Sequence, residues 1–172
     1  MRAVVIREHG DVEVLNIEDM PTPEPGVGEV RIRVGAVSVN SFLDVSNRAG
    51  KVPFASYSFP HILGVEHAGV VDSVGGEVPD WVTPGTRVVV QAAYLKPDGT
   101  VGLLGVHREG SAAEYSVVPV SCLRPLPGGV SFVEAAALAL NGPLAVRQLQ
   151  HAGFEPGEWV LVQAAASAAG SM

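Results

Sequence analysis

The chain has 172 residues, 47% of them hydrophobic, and a formal net charge of −7; this predicts one packed domain, or one domain with a piece of another, and excludes disorder. Lys51 and Lys96 are the only lysines and no basic stripe is present, which excludes a nucleic acid or an anionic membrane surface as partner. Cys122 is the single cysteine, so an intramolecular disulfide is excluded and a small buried residue is predicted.

Short runs of β-branched residues between 13 prolines and 20 glycines predict an all-β first part of the chain. Strands are predicted at residues 3–7 and 12–17, around a turn at residues 9–11. Residues 21–26 predict an extended, polyproline-like connection. Residues 29–39 alternate charged and apolar side chains, which predicts a half-exposed strand.

The middle of the chain continues the β pattern with one helical interruption. Residues 40–48 have room for a short helix. The valine-rich residues 64–74 and 87–92 predict buried strands, and residues 112–120 predict another strand. Residues 94–110 contain glycine and charge without a period, so a loop with little core of its own is predicted there.

The pattern changes after the last of these strands. Residues 131–140 begin with Ser and Glu three apart, the spacing of a capping box, and predict a helix. A second helix is predicted from residue 142, with proline in its first turn. Residues 159–163 then predict a buried strand, and residues 164–170 predict the turn from that strand into a helix.

This order of elements predicts a mainly β fold with some α, in which a β domain at residues 1–130 is followed by the incomplete start of an α/β domain at residues 131–172. A dinucleotide-binding turn favours the spacing G-x-G-x-x-G, because a Cβ would keep the backbone away from the pyrophosphate. The corresponding positions hold Ala165, Ser167 and Gly170. The turn by itself therefore leaves open a buried strand that simply ends in an alanine-rich helix.

Four further motifs give that turn a context. Residues 59–75 (FPHILGVEHAGVVDSVG), 85–88 (GTRV), 110–115 (GSAAEY) and 126–137 (LPGGVSFVEAAA) resemble the signature of the medium-chain dehydrogenase/reductase superfamily, in the family's order. The resemblance runs over the whole chain. It implies a GroES-like β-barrel catalytic domain followed by the first strand of a Rossmann domain that binds NAD or NADP.

Zinc alcohol dehydrogenases of this superfamily bind a catalytic metal through Cys, His and a further Cys or acid. No Cys lies at residues 38–40, where the family places its first ligand, and Val65 stands at the His position of the Gly-His-Glu motif. His67 is a conceivable shifted ligand. The four-cysteine structural lobe is missing from residues 94–110. The resemblance is therefore closer to the zinc-free quinone oxidoreductases and their zeta-crystallin-like relatives, and it implies no bound zinc.

In that branch an Asn replaces the zinc-binding Cys and is followed by an acid and Arg-x-Gly, which Asn40, Asp44 and residues 48–50 match. The resemblance implies that Asn40 lies beside the nicotinamide and that Asp44 orders the loop, so these two are the candidate catalytic residues. A neutral amide can donate and accept without bringing charge to a site of hydride transfer. A helix N-cap is an alternative and compatible role for Asn40.

Further residues are assigned from their position in the chain. Asn141 falls where the branch has a cofactor-facing run, although the expected Thr is missing. Tyr57 is a candidate for the substrate pocket, with an exposed loop aromatic as the alternative. The remaining histidines are predicted to lie at the surface or at loop ends, namely His61, His107 and His151.

The resemblance implies an oxidoreductase that passes hydride from NADPH or NADH to a small molecule, a quinone or an activated double bond, as a homodimer. The chain is expected to be a piece of a longer reductase and to be inactive alone, because the residue that selects NAD or NADP lies about 20 residues after the turn. With no signal-like start and no run of about 18 apolar residues, a cytoplasmic protein is expected. Two alternatives stay open: a stand-alone GroES-like binding or assembly domain, and a zinc alcohol dehydrogenase with displaced ligands.

Overall fold

The structure is a computed structural model that describes every residue from Met1 to Met172. Its class is mainly β with some α, as predicted, and two one-turn 3-10 helices at Val12–Val14 and Val120–Cys122 complete it. In chain order the elements are β1 (Arg2–Ile6), β2 (Asn16–Asp19), β3 (Glu29–Ser38), α1 (Leu43–Arg48), β4 (His61–Ile62), β5 (Glu66–Val74), β6 (Arg87–Val90), β7 (Ala93–Leu95), β8 (Val101–Leu103), β9 (Tyr115–Pro119), β10 (Leu123–Pro125), α2 (Phe132–Leu138) and α3 (Asn141–His151).

Two antiparallel sheets form the body of the fold. One has five strands in the order β10-β6-β5-β3-β9, and the other has three in the order β2-β1-β4. A bridge links Ala3 of β1 to Ala113, two residues before β9, and the N–H of Val4 donates to the C=O of Ala112 at 2.7 Å beside it. The sheets are therefore continuous through hydrogen bonds, as in a partly open barrel.

The main core lies under the five-stranded sheet. Along β3, Val30 and Ile32 are fully buried while Arg31 and Arg33 point the other way, which is the alternation that the sequence predicts. The core cluster consists of Val30, Ile32, Val71, Val82, Val88, Val90, Leu104, Val118, Cys122 and Leu123. Cys122 is 0% exposed, which makes it a small buried thiol, as predicted, and this burial raises the pKa of the thiol to about 11.

Residues 94–110 contradict the prediction of a loop with little core of its own. Strands β7 and β8 pair as a hairpin, in which the Tyr94 ring packs directly over Gly102. Beyond the hairpin, Leu104 and Val106 are buried in two different core clusters. The prediction is wrong because strands of three residues are too short to show a period of two.

The second predicted strand is also displaced. Residues 12–14 form a 3-10 turn whose first N–H donates to the Asp11 carboxylate at 2.9 Å, and the strand begins only at Asn16. Asp competes for backbone N–H groups in turns, and this local bond outweighs the β-branched character of Val12 and Val14.

Helix α2 closes one side of the barrel. Its predicted capping box is confirmed, since the side chain of Ser131 accepts from the N–H of Glu134 and the Glu134 carboxylate accepts from the N–H of Ser131. Phe132 packs against Gly35 of β3 and lies under the Arg87 guanidinium, 4.8 Å from ring centroid to Cζ. Helix α3 forms as predicted but buries no residue. None of the three helices is both long and apolar enough to span a membrane.

The strand predicted at residues 159–163 does not form. These residues have no strand partner, and Trp159 is fully exposed. Residues 164–171 form successive turns rather than a helix. A β-strand depends on hydrogen bonds to a neighbour, and no other strand lies alongside this segment; the apolar sequence alone is not enough.

His67 is a buried histidine inside the five-stranded sheet. It is completely inaccessible, and its Nε2 lies 2.8 Å from the Oγ of Ser116 on β9. Burial lowers the pKa of His67 to about 3. The unfolded chain therefore binds a proton at His67 below about pH 6.5 that the folded chain does not bind until about pH 3.

We expect this difference to make the free energy of unfolding fall by about 1.4 kcal/mol for each pH unit as the pH drops below about 6.5. His67→Gln, which keeps a hydrogen-bonding side chain, should remove that contribution. The measurement is urea denaturation at about pH 6 and about pH 5. His151→Gln, at an exposed histidine, is the control and should keep the wild-type slope. A His67→Gln variant with the wild-type slope would show that His67 is protonated in the folded chain.

Candidate functional site

Asn40 organises the turn between β3 and α1. Its Oδ1 accepts the backbone N–H of Phe42 at 3.1 Å and of Leu43 at 2.8 Å, and its own C=O accepts the N–H of Asp44 at 3.0 Å. Phe42 occupies the N-cap position itself, so the capping acceptor comes from two residues earlier than a simple N-cap would supply it. Asn is suited to this because its short amide reaches backbone groups two or three residues ahead.

Asp44 ties that turn to the neighbouring strand. One carboxylate oxygen accepts the N–H of Asn40 at 2.8 Å, and the other accepts the N–H of Gly64 at 3.1 Å. Its side chain is only 8% exposed, and burial raises the pKa of Asp44, against the lowering effect of the two N–H bonds. Gly64 has φ +104°, and a Cβ there would lie 2.7 Å from the backbone nitrogen of Ala112, so only glycine fits.

Glu66 completes the site and was missed by the sequence reasoning. It is 0% exposed; its Oε1 accepts from Nδ2 of Asn40 at 2.6 Å and its Oε2 from the N–H of Leu140 at 3.4 Å. A carboxylate in the middle of a valine-rich buried run needs polar partners. This need for polar partners is the sequence signal that could have identified Glu66.

The same carboxylate ties Asn40 to Leu140, the residue before the predicted residue Asn141. Asn141 is the first residue of α3 and directly follows Leu140. The structure therefore groups Asn40, Asp44 and the segment that carries Asn141 around Glu66.

The three residues predicted in the phosphate-binding turn lie elsewhere. Ala165, Ser167 and Gly170 belong to the turns at residues 164–171, and none of them forms a hydrogen bond to Asn40, Asp44 or Asn141. The hydroxyl of Ser167 accepts the N–H of Gly170 at 3.1 Å instead. Their assignment to cofactor binding stays a prediction.

Tyr57 lies at the other end of α1. Its hydroxyl donates to the C=O of Asn47 at 3.3 Å, and its ring stacks on His61 with 3.7 Å between centroids. His61 is fully buried, with Nε2 3.0 Å from the C=O of Gly105, so the predicted surface position of His61 is wrong. The two-residue strand β4 pairs with β1, and the Tyr57 ring covers it. Tyr57 is not part of the group around Glu66.

A pocket of about 240 Å³ borders the turn before α1. Its polar walls come from Ser38, Asp44 and Arg48, and the rest of its lining is mainly apolar. Mostly apolar walls with a few polar groups are typical of small-molecule sites. A larger groove of about 490 Å³ between β6 and the helices α2 and α3 is almost wholly apolar, which suits packing better than recognition of a polar substrate.

The side chains present do not fit a catalytic zinc ion. No three His, Cys, Asp or Glu side chains of the 172 residues are grouped so that they could hold a metal. His67, the conceivable shifted ligand, is enclosed in the sheet against Ser116. Cys122 belongs to the main core. Zinc needs three protein ligands converging on one open position, and that donor set is missing.

Known proteins match this sequence and this fold. The family described as the alcohol dehydrogenase GroES-like domain matches residues 26–128. The chain is 37% identical over 164 residues to a quinone oxidoreductase of Pseudomonas aeruginosa, over 94% of this chain and 45% of that protein. It is 32% identical over 173 residues to a chloroplastic NADPH-dependent alkenal/one oxidoreductase of Arabidopsis thaliana, over 100% of this chain and 43% of that protein.

Among solved structures, a cobalt- and zinc-bound thermostable alcohol dehydrogenase from Pyrobaculum aerophilum superposes with a TM-score of 0.88. The sequence identity is 33%, over 99% of this chain and 54% of that chain. The chain spans less than half the length of the two curated relatives, 45% and 43%.

Removing the Asp44 carboxylate should strongly destabilise the fold. In Asp44→Ala the N–H groups of Asn40 and Gly64 lose their acceptor in a buried place, so we expect a loss of about 2 to 4 kcal/mol in the free energy of unfolding. The control is Asp98→Ala, where the carboxylate also accepts two bonds from Thr100 but is exposed, with an expected change of about 0.5 kcal/mol. Urea denaturation measures both; equal losses would mean that Asp44 does not order the turn.

Proposed function

The chain belongs to the medium-chain dehydrogenase/reductase superfamily through its alcohol dehydrogenase GroES-like domain, and from that premise we propose that it is the catalytic domain of a zinc-independent oxidoreductase. Its cofactor would be a nicotinamide dinucleotide, and its substrate a quinone or an activated double bond. The named activities of the relatives from Pseudomonas aeruginosa and Arabidopsis thaliana support this choice.

The placement of Asn40 is the observation that carries the proposal. The resemblance puts it where zinc-dependent relatives have a Cys ligand, and in the structure its amide donates to Glu66 and accepts from the N–H of Leu43. When bound, the nicotinamide supplies the hydride. In this proposal Asn40 contributes a neutral donor beside it, and Asp44 keeps the turn in place.

We propose NADPH rather than NADH as the cofactor, because the Arabidopsis relative is named as NADPH-dependent. Residues 131–172 would then begin the dinucleotide-binding domain after a catalytic domain at residues 1–130. Ala165, Ser167 and Gly170 would face the phosphates, and Asn141 the cofactor next to Asn40. We also propose that the protein is cytoplasmic.

The function can be tested in a chimera in which this chain replaces the matched segment of the Pseudomonas aeruginosa quinone oxidoreductase. We expect NADPH-dependent reduction of 1,4-benzoquinone, followed by the loss of NADPH absorbance. Asn40→Ala should lower kcat/KM by about tenfold or more, since a preorganised donor is lost. Asn16→Ala, at an exposed amide on β2, is the control.

Two results would argue against this function. One is a chimera whose turnover is unaffected by Asn40→Ala, and the other is turnover that depends on about one zinc ion per chain in elemental analysis. The isolated 172-residue chain should bind NADPH only weakly and show no turnover, because its named strands all pair antiparallel and a dinucleotide lies in a crevice at the ends of parallel strands.

A stand-alone binding or assembly domain is the second candidate function. Helix α3 exposes Leu144, Val146 and Leu149, and the apolar groove of about 490 Å³ runs beside it. Apolar faces of this kind are typical of interfaces. Under either function we propose a homodimer that forms through residues 131–172.

We expect the chain to dimerise in a concentration-dependent way, and Leu144→Glu with Leu149→Glu to weaken the dimer. Ile17→Glu, at an exposed apolar position on β2, should leave it unchanged. Light scattering at several concentrations measures the mass, and hydrogen exchange of residues 160–163 reports whether the terminal segment is covered. A monomer at every concentration would contradict the dimer, and slowly exchanging residues 160–163 in that monomer would show that the barrel itself covers the segment.

A further inference from the structure

Glu66 is the most deeply buried carboxylate of the chain, at 0% exposure against 8% for Asp44. It is the first residue of β5 and pairs with Ser38, the last residue of β3. A buried carboxylate is costly unless it is fully hydrogen-bonded. Both of its partners belong to the candidate site: the amide of Asn40 and the N–H of Leu140.

The hydrogen bonds of the Asn40 amide can be counted completely. An Asn side chain has two N–H donors and an oxygen with two lone pairs. The oxygen already accepts from Phe42 and Leu43, and one N–H donates to Glu66. One N–H of Nδ2 remains without a partner, and Asn40 itself is only partly buried.

The two ends of the amide face partners of opposite kind. A carboxylate can only accept, and the two backbone N–H groups can only donate. A flipped amide would set its oxygen against Glu66 and its NH₂ group against the N–H groups of Phe42 and Leu43. Both contacts would be repulsive. The Asn40 amide therefore has only one favourable orientation.

We propose that Glu66 is a positioning residue that fixes the Asn40 amide so that its one free hydrogen-bonding group is a donor. Resting on the proposed function, this means that Asn40 can donate to an oxygen of the nicotinamide or its ribose but cannot accept from it. The second oxygen of Glu66 holds Leu140, so the same carboxylate sets the distance between Asn40 and the start of α3.

The orientation can be tested on the 172-residue chain without any cofactor. In a nitrogen-15 NMR spectrum, assigned by its loss in Asn40→Ala, the two side-chain amide protons of Asn40 should be widely separated, and one should exchange slowly with water. Glu66→Gln should bring the two protons together and speed the exchange. Glu114→Gln, at an exposed partner of Arg2, should change neither.

Two wild-type amide protons that both exchange rapidly would overturn the inference, even if Glu66→Gln fails to fold. In the chimera described above, Glu66→Gln should lower kcat by up to about a hundredfold, because a small misplacement of a positioned group is enough to do so, with a smaller change in the KM for NADPH. A lost NMR signature with unchanged kcat would refute the catalytic use of the donor. An inactive wild-type chimera with the NMR signature intact would refute the proposed function and leave the orientation standing.

Discussion

The turn between β3 and α1 is held by side chains that accept its backbone N–H groups, and the candidate site depends on these bonds. Asp44 accepts the N–H of Asn40 and of Gly64, and the amide oxygen of Asn40 accepts two more N–H groups. Buried backbone groups without partners are costly. These bonds therefore fix three chain segments against one another: the end of β3, the start of α1 and the approach to β5.

Glu66 extends the same constraint to the helices. Its two oxygens accept from Asn40 and from Leu140, so the barrel wall and the start of α3 meet at one carboxylate. Helix α2 is held separately, by Phe132 under Arg87 and by small residues against β5, where Ala135 and Ala136 pack on Ala68. Hydrogen bonds to Glu66 thus order the site, while apolar contacts and one cation–π contact hold the helix that covers the barrel.

Sequence reasoning succeeded where the signal is local or alternates along a long strand. The alternation of β3, the capping box of α2 and the buried Cys122 are of this kind. It failed for β7 and β8, which are too short to show a period, and for residues 159–163, whose strand would depend on neighbours that lie outside the local sequence. Asn40 and Asp44 came from a resemblance, whereas the role of Glu66 follows only from knowing which distant groups surround it.

In the proposed function Asn40 takes the place of a metal ligand, and this changes what the barrel can contribute to the reaction. A zinc ion would stabilise developing charge as a Lewis acid, but Asn40 is neutral and its oxygen is occupied by Phe42 and Leu43. What it offers is position and a single donor. Asp44 has both oxygens engaged by backbone N–H groups, so it is placed to hold the turn. A site of this kind suits acceptors that are already activated by their own carbonyl groups, as quinones and conjugated alkenes are, because they demand alignment more than charge stabilisation.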